Sequence, residues 1–187
     1  RLQLIYYNSL GRLPCGAALQ QWEEFSMIKV AALSFASVLC LAGGANAQLL
    51  AHKDLSVGLA TAIANTAIAT CKQQGYNVSV HVLGREGQVV VAARGDGAGL
   101  ATYENSMKKA YTARTMARPS GEFADAVKKN PNAAALYLNN IVPAQGALPI
   151  KVGNETIGAV GVSGAPGGDK DEACAKAGID KVSSDLK

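Results

Sequence analysis

From Asp54 onward the apolar residues recur at two distinct periods. Leu55, Leu59 and Ile63 step four residues apart, which places them on one helix face. That spacing predicts a helix over 55–74, with Asp54 placed to cap it and Gly75 to end it. Residues 76–83 then alternate. Val78, Val80 and Val82 face one way, Ser79, His81 and Leu83 the other, which is the period of a strand. A turn over 84–87 and a second run over 88–94 complete a hairpin.

A glycine-rich loop, Gly95-Asp96-Gly97-Ala98-Gly99, leads into a long helix expected to about Ala117, with Thr102 as its cap and Glu104 in its first turn. Arg118-Pro119 stops it. Ser120 offers the cap of a short helix to Lys129, and Asn130-Pro131 sets the start of another over 132–138. Residues 139–147 read as irregular. Two strands, 148–152 and 155–163, are joined by Gly153-Asn154, a two-residue hairpin signal. A Gly/Pro loop over 163–168 precedes a last helix from Asp169, where Glu172 completes a capping-box-like pair. Hairpins imply an antiparallel sheet, so the expected class is α+β, one sheet with helices packed on it.

The front of the chain carries a different pattern. Met27 and Lys29 precede an apolar run from Val30 to Ala42, then Gly43-Gly44 and Ala45-Asn46-Ala47. A positive start, an apolar run too short to span a bilayer and an Ala-x-Ala exit describe a secretory signal peptide over 27–47. Cleavage there starts the mature domain at Gln48 and places it in the periplasm or outside the cell. Residues 1–26 fit neither signal nor domain and are read as a non-native upstream segment. The domain itself is assigned to 48–187.

Composition then narrows the classes. The whole chain holds 18 Lys+Arg against 14 Asp+Glu, a net charge of +4, with the signs interspersed. That balance gives no footprint for nucleic acid, and the mature part holds no run long enough for a membrane span. Two of the four cysteines, Cys71 and Cys174, lie beyond the cleavage point. In an oxidising compartment they form one disulfide; two small buried thiols are the alternative.

Chemistry-bearing residues are sparse. With two histidines, His52 and His81, and no Cys-x-x-Cys, an ordinary zinc site is disfavoured. No Gly-x-Ser-x-Gly occurs, which weighs against a hydrolase. His81, mid-strand, is either an axial iron donor or a partly buried strand residue with a satisfied ring. On the long helix, Tyr111 shares a face with Met107 and Arg114; these are core residues, or a ligand contact in the case of Tyr or Met at iron. The cations Lys108, Lys109 and Arg114, with Arg118 just beyond, do not share one helix face. One or two of them, together with Arg94, are expected to meet a carboxylate or phosphate at a pocket mouth. The loop of Ser163, Gly164 and Gly167 runs into a helix N-terminus, a place suited to an anion. Asp96 with Arg94 is the one pair available to a small-molecule enzyme, and such a pair is more often a structural contact.

Several stretches, in order, resemble the HbpS/GlcG-like family, also called the haem-degrading domain family. The closing run Gly158-Ala159-Val160-Gly161-Val162-Ser163-Gly164-Ala165-Pro166-Gly167-Gly168-Asp169, continued by Asp171-Glu172-Ala173-Cys174, is the most specific. Earlier pieces are Cys71-Lys72-Gln73-Gln74-Gly75-Tyr76, Arg94-Gly95-Asp96-Gly97-Ala98, Lys108-Lys109-Ala110-Tyr111-Thr112-Ala113 and Gly146-Ala147-Leu148-Pro149-Ile150. The resemblance implies a profilin-like α/β/α sandwich, a homo-oligomer that is often an octamer, and haem as ligand. Three positions depart from the family pattern. Leu83-Gly84 stands where the family often ends a strand on Asp, Gly99-Leu100-Ala101-Thr102 lacks a histidine found in some relatives, and Gln145-Gly146-Ala147 breaks a Gly-Gly pair. The expected function is therefore an exported haem-binding protein without an evident reaction. The alternative is a non-catalytic oligomeric module for another small ligand or a protein partner.

Overall fold

The computed structural model describes residues 49–132 and 134–187, and the unit considered below is Ala51–Lys187. The upstream segment and the signal over 27–47 lie outside the described residues. Helix α1 spans Val57–Gln73 and leads to the hairpin of β1 (Ser79–Leu83) and β2 (Val89–Arg94). Helices α2 (Leu100–Met116) and α3 (Ser120–Lys129) follow, then a 3-10 turn over Ala134–Tyr137. The chain closes with β3 (Ala147–Val152), β4 (Glu155–Ser163) and α4 (Gly168–Lys181).

The expected order of elements holds, with four local corrections. Ser56, not Asp54, caps α1, its hydroxyl accepting from the Leu59 N–H. Helix α2 starts three residues earlier than Thr102 implies, after Gly99 in an extended conformation. The Thr102 hydroxyl instead donates back to Gly99 O at 2.7 Å. The segment expected as a helix over 132–138 makes only the 3-10 turn, being too short to repay the cost of helix nucleation. Helix α4 begins after Gly167 with no side-chain cap, and Asp169 lies inside its first turn.

All strand pairs are antiparallel, in the order β2-β1-β4-β3. The connection between the two hairpins thus carries the chain over the sheet, and the first and last strands in sequence become central neighbours. Helices α1 and α4 pack against each other and cover one face, while α2 lies across β1, β4 and β3 on the other. This is an α+β fold built as an α/β/α sandwich. Strand β1 is buried along its whole length because both of its faces are covered.

The two faces differ in chemistry. Val78, Val80, Val82, Val160 and Val162 meet Ile63, Ala64 and Ala67 of α1 in the main core. There Cys71 and Cys174 form a fully buried disulfide with Cα atoms 5.7 Å apart, tying α1 to α4. The opposite face presents small and polar groups to α2. A Cβ at Gly161 would lie 2.3 Å from Ser106 O and 2.6 Å from Ala110 N, so glycine is what lets the α2 backbone rest directly on β4.

Candidate functional site

Cross-strand register places three rows on the α2 face. Arg94, Ser79 and Ser163 form one; Ala92, His81 and Gly161 the next; Val89, Leu83 and Ala159 the third. In each row α2 covers the β1 and β4 members. The β2 members stay open, because β2 is backed by α1 on its other face only. The flank of α2 next to β2 carries Leu100, Tyr103, Met107, Tyr111 and Arg114, spaced three or four residues apart. Leu100 is 87% exposed and Val89 51%, large apolar side chains left facing solvent. The angle between β2 and α2 is therefore an open, mainly apolar cleft.

His81 sits at its base. Its ring is almost wholly buried, meets the Tyr103 ring edge-on with centroids 4.4 Å apart, and places Nδ1 2.8 Å from Ser106 Oγ. The Ser106 hydroxyl donates its single proton to Tyr103 O at 2.9 Å. With that proton on Tyr103 O the hydroxyl accepts from His81, a geometry that suits a protonated Nδ1 and a lone pair on Nε2; a proton turned to His81 would give the other tautomer. Burial lowers the imidazole pKa to about 4. At neutral pH His81 is a neutral donor, the form that binds a metal.

That depression has a measurable sign. The unfolded chain takes up the proton near 6.5, the folded chain only near 4. The contribution of His81 to stability is complete above the first value and is lost as pH falls through the second. Urea unfolding across that interval is expected to show the stability gap between the protein and His81→Gln shrinking as the buffer is acidified. A gap independent of pH would reject the depressed value.

The other residues singled out from sequence have different fates. Arg94 donates Nε and Nη2 to Ala98 O at 3.1 and 2.5 Å, bracing the 95–98 turn at the open end of the cleft. Asp96 is exposed in that turn, and among the described residues it forms no ion pair with Arg94. Tyr111 is half-buried and reaches the β1–β2 turn, where a Cβ at Gly87 would lie 3.2 Å from its Cε2. Arg114 is half-buried, and its Nε is buried without a hydrogen-bond partner.

Lys109 is not at a pocket mouth. Its ammonium lies in a buried ion pair 2.8 Å from Asp171 Oδ2 and also donates to Val162 O at 3.2 Å. The second Asp171 oxygen accepts from Ala165 N at 2.9 Å. The glycine-rich loop is thus filled by the protein's own carboxylate, contrary to its expected role in holding a ligand anion. Gly164 has φ +140°, and a Cβ there would run into Asn77 O; a Cβ at Gly146, with φ +130°, would run into the Lys109 ammonium. Ser163 accepts from Asn105 Nδ2 at 3.0 Å. Loop and pair together form a structural lock between α2, β4 and α4.

Sequence reading passed over Tyr103, Ser106 and Asp171. The first two follow from helical spacing once α2 is laid over His81. Asp171 carries no local signal, since its partner lies 62 residues away.

A second concavity, of about 470 Å³, opens between edge strand β3 and α4. Leu148, Pro149, Lys151, Glu172, Lys176 and Ile179 line it. Burial raises the Glu172 carboxyl above its usual range. None of the residues proposed from sequence borders this groove.

The strands, the covering helices and the polar layer under α2 make a small α+β sandwich domain. A family model described as "Haem degrading protein HbpS-like" matches residues 55–180, and the chain belongs to that family. It is similar to the crystal structure of HbpS, with a TM-score of 0.68 and 32% identity over 74% of this chain and 96% of that one. A double mutant of HbpS from Streptomyces reticuli gives the same score and identity over 74% and 93%. The crystal structure of a PduOC–haem complex matches with a TM-score of 0.62 and 26% identity, over 68% of this chain and 94% of the other. An uncharacterised 15.0 kDa protein of the dhaT-dhaS intergenic region of Citrobacter freundii is 31% identical over 113 residues, 59% of this chain and 80% of that one.

Proposed function

We propose that this domain binds haem in the cleft between β2 and α2, as an exported, oligomeric carrier or sensor rather than an enzyme. The observation that carries the reading is His81, a neutral imidazole bonded through Nδ1 to Ser106 at the base of an exposed apolar angle. Family membership and the haem complex of PduOC support the choice of ligand.

The residues fit the group. Val89, Ala92, Leu100 and Met107 supply apolar surface for a porphyrin face, and Tyr111 closes one end. Arg94, at the open end, suits the propionates; Arg114, in the last turn of α2 beyond Tyr111, lies at the other end of the helix and does not share them. When bound, the haem would supply an iron centre for ligand or electron chemistry. The protein's part is to shield one face, hold the carboxylates and present an imidazole. The cleft is open on one side, and a second copy of the domain would enclose the ligand. That is the role proposed for the homo-oligomer, up to an octamer. Among the described residues no helix is long and apolar enough to cross a membrane. The positive start at Lys29, the apolar run and the Ala-x-Ala exit over 27–47 support export to the periplasm or beyond.

Titrating the purified domain with haemin is expected to shift and sharpen the Soret band, with saturation at a fixed stoichiometry. A spectrum identical to free haemin, with the protein in twofold excess, would overturn the reading. Light scattering on the same sample is expected to show a species larger than one chain.

A further inference from the structure

We infer that Ser106 is the positioning residue that fixes His81 with Nε2 as its donor nitrogen, and that Tyr103 is a removable cover over that ring. This rests on the haem reading above for the identity of the metal, but its geometry stands in the protein alone.

The serine comes first. His81 lies between Gly161 and Ala92 in its row across the sheet. The Gly161 side is filled by α2, whose Ser106 carbonyl and Ala110 amide would meet any side chain there. Nδ1 bonds to Ser106 on α2, which leaves Nε2, across the ring, as the nitrogen free to act as donor. With its proton given to Tyr103 O, 2.9 Å away, the serine accepts from a protonated Nδ1. One hydroxyl thus selects the tautomer and the direction of the lone pair together, as groups behind metal-binding histidines commonly do.

The cover follows from exposure. His81 is 3% exposed and so is not open to an iron as it stands. Tyr103, whose ring packs edge-on against it, is 44% exposed and lies on the free flank of α2. No side-chain hydrogen bond holds the Tyr103 hydroxyl among the described residues. A rotation of that one side chain toward solvent uncovers the imidazole without moving the backbone.

The test uses the haem-free protein and then the loaded one. In apo protein labelled with 15N-histidine, the His81 ring nitrogens are expected to show the Nδ1–H tautomer. Ser106→Ala should convert this to a mixture, and Ser106→Thr, which keeps the hydroxyl, should restore it. Tyr103→Ala should raise the rate at which diethyl pyrocarbonate modifies the peptide containing His81, with circular dichroism unchanged. Identical tautomers in the protein and Ser106→Ala would overturn the positioning role, and unchanged modification in Tyr103→Ala the cover. With haemin added, His81→Gln should lose the spectrum of imidazole-bound iron while Tyr103→Ala gains it faster than the unaltered protein. Retention of that spectrum in His81→Gln would overturn His81 as donor while leaving haem binding intact. No haemin binding by any form would remove the haem reading and the iron donor with it, and the apo measurements would still decide the roles of Ser106 and Tyr103.

Discussion

Lys109→Met is expected to destabilise the domain by about 3–5 kcal/mol, the usual cost of leaving one member of a buried ion pair alone. The ammonium and the Asp171 carboxylate are both almost wholly buried, 2.8 Å apart. Without Lys109, the carboxylate keeps only the Ala165 N–H as partner. The loss should also depend on pH. Burial already holds the Asp171 carboxyl above its usual range, with Lys109 and the Ala165 amide pulling the other way. Removing the ammonium lets the carboxyl rise further. A carboxyl raised in the folded state favours the fold below its unfolded pKa, and that contribution is lost as pH climbs through the folded value. The penalty is therefore largest near neutrality and smaller in acid. Converting Asp171 as well, in Lys109→Met/Asp171→Leu, should recover part of the stability, because no charge is then stranded. Chemical denaturation of both variants between about pH 4 and pH 7 checks this. An equal loss at every pH, with no recovery in the double variant, would show that the pair acts through shape alone.

The second large effect is at the disulfide. Cys71→Ala/Cys174→Ala is expected to lower stability by about 2–4 kcal/mol, since the bridge closes a long loop. The two cysteines are 103 positions apart. Both sulfurs sit among α1, α4 and the valines of the central strands, so a small packing loss adds to the loss of the cross-link. Intact mass before and after reduction in denaturant should differ by two hydrogens, and the reduced protein should melt at the lower temperature of the double variant. Two free thiols in fully oxidised material would contradict the bridge.

Much of the architecture was readable because it is local. The alternation of Val78, Val80 and Val82, the Gly153-Asn154 turn and the stepping of Leu55, Leu59 and Ile63 each speak within one turn or one strand. What sequence could not supply was strand order. Nothing in residues 79–83 announces that β4 rather than β3 will lie beside β1; that follows from how the α2 crossing returns the chain. The site divides the same way. His81 was legible as a mid-strand residue on the face opposite Val78, Val80 and Val82, and its burial under α2 was not. The occupation of Lys109 was not, because its partner belongs to a helix far along the chain. For the same reason the glycine loop looked vacant when read alone: the Asp171 carboxylate that fills it lies past the turn whose amide it accepts. Thr102 and Asp54 misled at helix starts because Gly99 and Ser56 serve the same geometric need a few residues away, and backbone packing decides among such candidates.

The burial of β1 on both faces bears on how the molecule breathes. Amide hydrogens of Ser79 to Leu83 have strands on either side and helices above and below. Their exchange with deuterated solvent must wait for the whole sandwich to come apart. The outer edge of β2 and the short helix α3 have no such protection and are free to open alone. Opening at the edge of β2 lies beside the proposed cleft and opening of α3 at the far edge against β3, while the row that carries His81 stays registered between them.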